Sequence, residues 1–217
     1  MTPGEPLVRW DWVANHTGEI GLRIGEHLEL TIIAVVVGLA IAFALAFAGL
    51  RLPHLYPPIT AFAGILYTIP SLALFAFLVP YTGISLLTAE IGLVSYTLLI
   101  LVRNIVSGIR SVPSEVRDAA LGMGYTPGAI LWRIELPLAL GVIFAGIRVA
   151  TITTIGLVTV TALIGQGGLG YLILLGIQQF FSTPLIVGAT LSVALAVAAD
   201  GALVLVQRSL MPWTRVR

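Results

Sequence analysis

Five stretches of the chain are predominantly apolar with no regular alternation: Leu28 to Leu50, Pro57 to Val79, Leu86 to Ile109, Leu138 to Leu163 and Pro184 to Val206. Each reaches or exceeds the ~20 residues that a helix needs to cross hydrocarbon. Backbone groups in hydrocarbon must pair within their own segment, and the dyad alternation of a transmembrane barrel is missing, so all five are predicted to be helices. Small residues recur inside them, as at Ala40, Ala42, Ala44, Ala46, Ala48 and Gly49. Such residues let helix backbones approach closely where no water drives association, which predicts a tight bundle.

A sixth stretch, Gly165 to Thr183, is 19 residues long but holds four Gly in its first six positions and a Gln pair later. With five spans, Arg51, Arg110, Arg117, Arg133, Arg208, Arg215 and Arg217 share one side of the membrane and only Arg9 and Arg23 lie opposite. A sixth span would carry three of those arginines across, against the excess of basic residues on cytoplasmic faces. The expectation is an all-α, five-helix polytopic membrane protein with the N-terminus outside and the C-terminus cytosolic. Residues 165–183 then form either a partial insertion or a surface helix at the outer face. Residues 1–27 mix Arg9, Asp11, Glu19, Arg23 and Glu26 with Trp10 and Trp12 and have no apolar stretch suited to a signal peptide. They read as an interfacial or polar extracytoplasmic lead-in, residues 28–208 as the transmembrane domain, and residues 209–217 as a cytosolic tail.

Composition agrees with the pattern: 58% of the 217 residues are hydrophobic, 10% are charged and the mean hydropathy is +1.05, against the ~45–50% and ~25% of soluble domains. Every basic residue is Arg and there is no Cys. Lysine chemistry, thiolate metal sites and cysteine nucleophiles are therefore unavailable. His16, His27 and His54 fall outside the apolar runs, so neither a metal cluster nor a nucleophile with its base is expected within the spans. The chain is read as having no catalytic residue and no metal ligand, and its near-neutral charge gives no reason to expect nucleic acid as a partner.

The segment between spans three and four, 111–137, is too polar for hydrocarbon. Pro113 and Ser114 suit a helix start, Glu115 and Asp118 suit its positive first turns, and Gly122 and Gly124 suit the turn that ends it. Thr126 then caps a second helix with Pro127 at its first position, and Leu136 with Pro137 closes the segment and opens span four. The expected form is helix, glycine turn, helix at the cytosolic face.

Within it, Asp118, Ala119, Ala120, three residues, Gly124, nine residues, Ile134, one residue, Leu136 and Pro137 resemble the EAA signature of ATP-binding-cassette importer permeases. The spacing matches throughout; Asp118 stands where the family most often has Glu, one methylene shorter. The resemblance implies that Glu115, Asp118, Ala119, Ala120, Gly124, Ile134, Leu136 and Pro137 belong to a segment that couples the permease to a cytosolic ATPase. Further stretches, TIPSLALFAFLVP from Thr68, GIRVAT from Gly146 and ALIGQGGLG from Ala162, are similar to permeases of osmoprotectant importers. Those carry glycine betaine, carnitine, choline and related solutes; because the coupling signature is shared across importers, a permease for methionine or another small solute is the alternative. The implied assembly is an inner-membrane permease with a second copy or a related permease, a cytosolic ATPase dimer holding ATP and Mg, and a separate extracytoplasmic substrate-binding protein. No cofactor is implied in this chain.

Charges within the spans are costly, so Arg148 and Asp200 should be paired or wet. At ~1.5 Å per residue Arg148 lies about 15 Å and Asp200 about 12 Å from the cytosolic side, depths that permit a pair acting either as a fixed tie or as a gate. Arg103 and Asn104 line an inner cavity, or Arg103 reaches along its stem to the interface. Glu90 is either a solvated helix end or a cation ligand. A quaternary ammonium solute would need aromatic faces, for which Tyr67, Phe75, Tyr96 and Tyr171 are candidates beside ordinary packing. Pro70 should kink span two, with Thr68 and Ser71 recovering the freed backbone groups or offering them to solute. Gln166, Gly167 and Gly168 suit an outer gate that bends or a static tight turn. A secondary transporter would show acidic or His ion sites within the membrane, repeated in two halves; among such residues only Asp200 lies deep in a span, and the sequence has no internal repeat.

Overall fold

The computed structural model describes residues 6–212. Arg215, Arg217 and the end of the expected tail lie outside the described residues. The helices are α1 (Trp10–Asn15), α2 (Thr17–Arg51), α3 (Tyr56–Thr68), α4 (Ser71–Thr82), α5 (Leu86–Arg110), α6 (Ser114–Gly122), α7 (Pro127–Ile130), α8 (Leu136–Thr161), α9 (Leu169–Gln178) and α10 (Ser182–Leu210). Four continuous helical stretches are long and apolar enough to cross a membrane, and the bent pair α3–α4 makes a fifth if taken as one span.

Helix α5 occupies the middle of the bundle. Its Leu101, Val102, Ile105, Val106 and Ile109 pack against Ala42 and Ala46 of α2 and Ala139, Ile143 and Ala150 of α8. A second cluster toward the other end joins Leu30 and Ala34 of α2, Phe75 of α4, Ala89 and Leu93 of α5 and Val158 of α8. Alanines on α2 and α8 bring their backbones close to the larger side chains of α5, the arrangement that the small-residue pattern predicts. Gly146 shows how tight the contact is: a Cβ there would lie 2.5 Å from the Cβ of Asn104.

Three boundaries differ from the sequence reading. The first spanning helix, α2, begins at Thr17, not Leu28, and its 35 residues reach ~50 Å, well beyond the ~30 Å hydrocarbon core. Its first turns project past the apolar run because Glu19, Arg23 and Glu26 line one helix face and are stabilised there by partners. Span two is broken more sharply than the kink expected at Pro70: α3 and α4 meet at 97°. Ile69 and Pro70 are both extended, with ψ of 129° and 133°, because the proline ring disfavours helical geometry in the residue before it. Lastly, the segment before α8 does not close at Leu136–Pro137. Helix runs from Pro127 to Ile164 through a π-turn at Leu131–Glu135, in which the Leu136 N–H donates to the Leu131 carbonyl. That extra residue widens the turn ahead of Pro137, whose ring would otherwise press on the carbonyl four residues back.

The Gly-rich stretch becomes a turn followed by α9. Ten residues of α9 span ~15 Å, half a crossing. The helix packs through Leu169 and Leu172 on Ile20 of α2 and beside α10.

Candidate functional site

Helix α6 is fastened from behind and open in front. Arg117 forms an ion pair with Glu135 of the π-turn and donates from Nη2 to the Ile109 carbonyl at 2.9 Å. Ala120 is buried at 1% exposure. The helix ends in a wound turn: the Met123 N–H reaches the Ala119 carbonyl and the Tyr125 N–H the Ala120 carbonyl. Gly124 sits at φ +85°, the left-handed conformation that glycine adopts without steric cost. Thr126 Oγ1 then accepts from the Ala129 N–H at 3.3 Å and starts the long helix.

Outward, Glu115, Asp118 and Ala119 are exposed and share one helix face at positions i, i+3 and i+4. Leu121 and Met123 stand beside them at 52% and 69% exposure, and Gly124 is exposed as well. Ile134, Leu136 and Pro137 are half-buried, with Leu136 packed against the core around α5. The signature residues thus divide into an exposed set on α6 and its turn and an inward set that roots the segment in the bundle.

The intramembrane polar residues make separate contacts in the bundle. Arg148 and Asp200 join α8 to α10 in a bidentate pair, Nε to Oδ1 at 2.6 Å and Nη2 to Oδ2 at 2.8 Å, with about a third of each side chain exposed. Planar two-point contact of this kind fixes orientation as well as separation. Asn104 is half-buried; it packs on Gly146 and donates Nδ2 to the Ile100 carbonyl of its own helix at 2.8 Å. Arg103, one residue earlier, is exposed. Glu90 is not a solvated helix end. It is 9% exposed, and both carboxylate oxygens are buried without a hydrogen-bond partner among the described residues.

At the α3–α4 break, the Tyr96 hydroxyl donates to the Ile69 carbonyl, and the Tyr96 ring meets Tyr67 edge-on with centroids 6.0 Å apart. Thr68 returns its hydroxyl to the Ile65 carbonyl at 2.8 Å, and the Leu74 N–H reaches the Pro70 carbonyl at 3.0 Å. Thr68 and Pro70 are exposed and Ser71 half-buried. Phe75 is fully buried against Gly92, a packing position out of reach of a solute. Tyr171 lies under the Arg23 guanidinium, 3.7 Å from its ring centroid.

The opposite end of the bundle holds a knot that the sequence reading did not single out. His27 is fully buried; its Nδ1 accepts from the Leu169 N–H at 3.2 Å and its Nε2 donates to the Ile155 carbonyl at 3.0 Å. Those two bonds use one acceptor and one donor, which fixes a neutral ring in a single tautomer. Glu26 Oε2 accepts from the Gly168 N–H at 2.8 Å and pairs with Arg23 at 3.0 Å. Gly168 has φ +80°, and a Cβ on Gly167 would lie 1.9 Å from Glu26. Gln166 is half-buried on the same turn. The available signal was helical spacing, since Glu19, Arg23, Glu26 and His27 fall at i, i+4, i+7 and i+8 of one helix.

Comparison with known proteins matches residues 34–212 to the family described as binding-protein-dependent transport system inner membrane component. The glycine betaine/carnitine/choline transport system permease protein OpuCB of Bacillus subtilis is 35% identical over 195 residues, 90% of either chain. The osmoprotectant import permease protein OsmW of Salmonella typhimurium is 37% identical over 208 residues, covering 93% of this chain and 96% of that protein. Among solved structures, an inward-facing MetNI methionine ABC transporter aligns with a TM-score of 0.80 at 22% identity, over 90% of this chain and 98% of that one. At that identity the likeness speaks for the fold.

Proposed function

From the premise that this chain belongs to the binding-protein-dependent transport system inner membrane components, we propose that it forms the translocation path for a small quaternary-ammonium osmoprotectant. It is a non-catalytic permease subunit of an ABC importer in the inner membrane, and it works with ATPase and substrate-binding partners. The solute class comes from relatives at 35% and 37% identity whose names specify glycine betaine, carnitine, choline or osmoprotectant.

The observation that carries the coupling role is the two-sided character of α6, rooted through Arg117 and Ala120 and open at Glu115, Asp118, Ala119, Leu121, Met123 and Gly124. Small side chains at Ala119 and Gly124 allow close approach of another protein, Leu121 and Met123 supply apolar surface, and Asp118 supplies a polar anchor. ATP, held with Mg on the ATPase subunits, closes them and pulls on this surface. Because Arg117 and Glu135 tie α6 to the ends of α5 and α8, a displacement of α6 passes into the bundle as a lever movement. ATP shifts the permease only as far as it favours one conformation over the other. Two permeases, identical or related, enclose the path. The N-terminus is extracytoplasmic, so the Gly165–Gly168 turn and α9 face the binding protein's side, and the α6 end faces the cytosol. Exposed Thr68, Pro70 and Arg103 then line the path, with Ser71 and Tyr96 shaping the α3–α4 break beside it. Arg148 and Asp200 act as a fixed tie between α8 and α10.

Affinity purification of the tagged chain from its host membranes, with mass spectrometry of retained polypeptides, tests the assembly. An ATPase retained by the wild type and lost with Asp118→Lys is the expected result. A stable complex without ATPase, under conditions that preserve a known importer, overturns the coupling role. Uptake of labelled glycine betaine, choline and carnitine into cells that depend on this system tests the solute. Uptake of methionine but of none of these would reassign it.

A further inference from the structure

On the inner side of α6, away from its exposed face, lies a cleft of about 490 Å³ walled by Arg51, Arg110, Arg117, Pro53, Gly128 and Glu135. Its charges are three guanidinium groups against one carboxylate, and that carboxylate is already bound to Arg117. Arg51 and Arg110 are exposed and have no carboxylate within 4.0 Å among the described residues. Arg110 is held in place by stacking on the Tyr56 ring, 4.8 Å from its centroid. Arg51 closes the long apolar run of α2, so the pair stands at the level where a bilayer changes from acyl chains to phosphates.

A second groove, about 610 Å³ and apolar, runs along α2 and α3 past Ile41, Leu45, Leu55, Pro58, Phe62 and Leu98. The turn Pro53–Leu55 separates the two, with Pro53 on the cleft and Leu55 on the groove. We propose that the cleft binds the phosphate of an anionic phospholipid from the leaflet at this end of the bundle, with an acyl chain laid along the apolar groove. A free phosphate ion would use the arginines alone and leave the groove without a role, whereas a phospholipid matches both surfaces at once. The docking face of α6 points away from the cleft, so the lipid and an ATPase subunit occupy different sides of that helix. The site gives the coupling segment a direct link to membrane composition: Arg117, which roots α6, forms one of its walls. The proposal rests on the proposed orientation only for which leaflet supplies the lipid.

The test uses the intact complex in nanodiscs of phosphatidylcholine alone, or of phosphatidylcholine and phosphatidylglycerol in equal parts, followed by gentle extraction and native mass spectrometry. Phosphatidylglycerol is expected to be retained selectively. Each arginine near a charged membrane surface favours anionic lipid by about fivefold, so Arg51→Gln with Arg110→Gln should lower retention about 25-fold. Arg133→Gln, an exposed arginine of the same end that does not line the cleft, should leave retention unchanged, and Arg110→Lys should keep most of it. Unchanged retention in the double variant overturns the proposal. Displacement of phosphatidylglycerol by inorganic phosphate would make the site one for a free anion, and retention only in complexes stripped of ATPase would show that the ATPase fills the cleft. Either result also overturns it.

Discussion

The two ends of the bundle treat their polar groups in opposite ways. Around His27, backbone and side-chain groups from distant parts of the chain are tied together: the imidazole binds Leu169 and Ile155, and Glu26 binds Gly168 and Arg23. Around α6 the polar contacts are confined to the inner side, at Arg117, and the outer side presents Asp118, Leu121 and Met123 to solvent. Matched buried hydrogen bonds allow one geometry and resist displacement, because moving either partner strands a desolvated group. An exposed face on a rooted helix can be pulled without unmaking the helix. In the function proposed above, the first end serves as a fulcrum and the second as a handle.

The sharpest way to break that contrast is to remove the fulcrum. His27→Leu leaves the Leu169 N–H, at the start of α9, buried without a partner and takes from the Ile155 carbonyl the bond it accepts in addition to its helical one, a loss of about 3 kcal/mol. Thermal unfolding of the detergent-solubilised complex reads this directly. His27→Gln, which offers one donor and one acceptor, should recover part of the loss. A wild-type melting curve for His27→Leu would mean that the knot carries no mechanical load.

The Arg148–Asp200 pair lies between the two ends. Arg148→Met and Asp200→Leu should each destabilise, because each leaves an uncompensated charge at membrane depth, and the double variant should lose less than the sum of the singles. Additive losses in the same melting assay would speak against a direct couple. If transport in the double variant falls while its stability is retained, the pair is a moving element and not a tie.

How far the sequence could be read differs along the chain for physical reasons. Long apolar runs announce themselves because hydrocarbon sets both length and composition, and α5 begins at Leu86 as the pattern predicts. The α6 turn was equally legible, since Gly124 and Thr126 are local signals whose effect does not depend on distant residues. What the pattern missed depends on contacts far apart in the chain. Glu90 looks like any polar residue near a helix end until the bundle buries it, and His27 looks like a lead-in residue until Leu169, 142 positions later, needs an acceptor. Pro70 signalled a break, but not one of 97°; at the break the Ile69 carbonyl accepts from the Tyr96 hydroxyl, 27 residues further along the chain.

A smaller effect is expected where the handle is rooted. Arg117→Gln removes a partly buried ion pair and one hydrogen bond to the end of α5 and should cost about 1–2 kcal/mol of stability. Its larger consequence is mechanical. With α6 loosened from Glu135 and Ile109, ATP hydrolysis by the complex should continue while solute uptake falls, and the ratio of uptake to hydrolysis is the quantity to measure. Equal loss of both would place Arg117 in the docking contact itself.

The smallest stability change should come from the outward face. Leu121→Ser and Met123→Ser alter exposed side chains, and surface substitutions of this kind stay within about 0.5 kcal/mol. In a docked complex the same side chains are buried, and loss of each apolar contact should weaken ATPase binding about tenfold. The two readouts therefore separate for the handle and coincide for the fulcrum: His27→Leu should lower the melting temperature and the yield of complex together, whereas Leu121→Ser should lower only ATPase retention. A binding titration of each purified permease variant against the ATPase subunit, beside its melting curve, decides the matter. If Leu121→Ser lowers the melting temperature as His27→Leu does, α6 is packed into the bundle in solution and its outer face is not a handle.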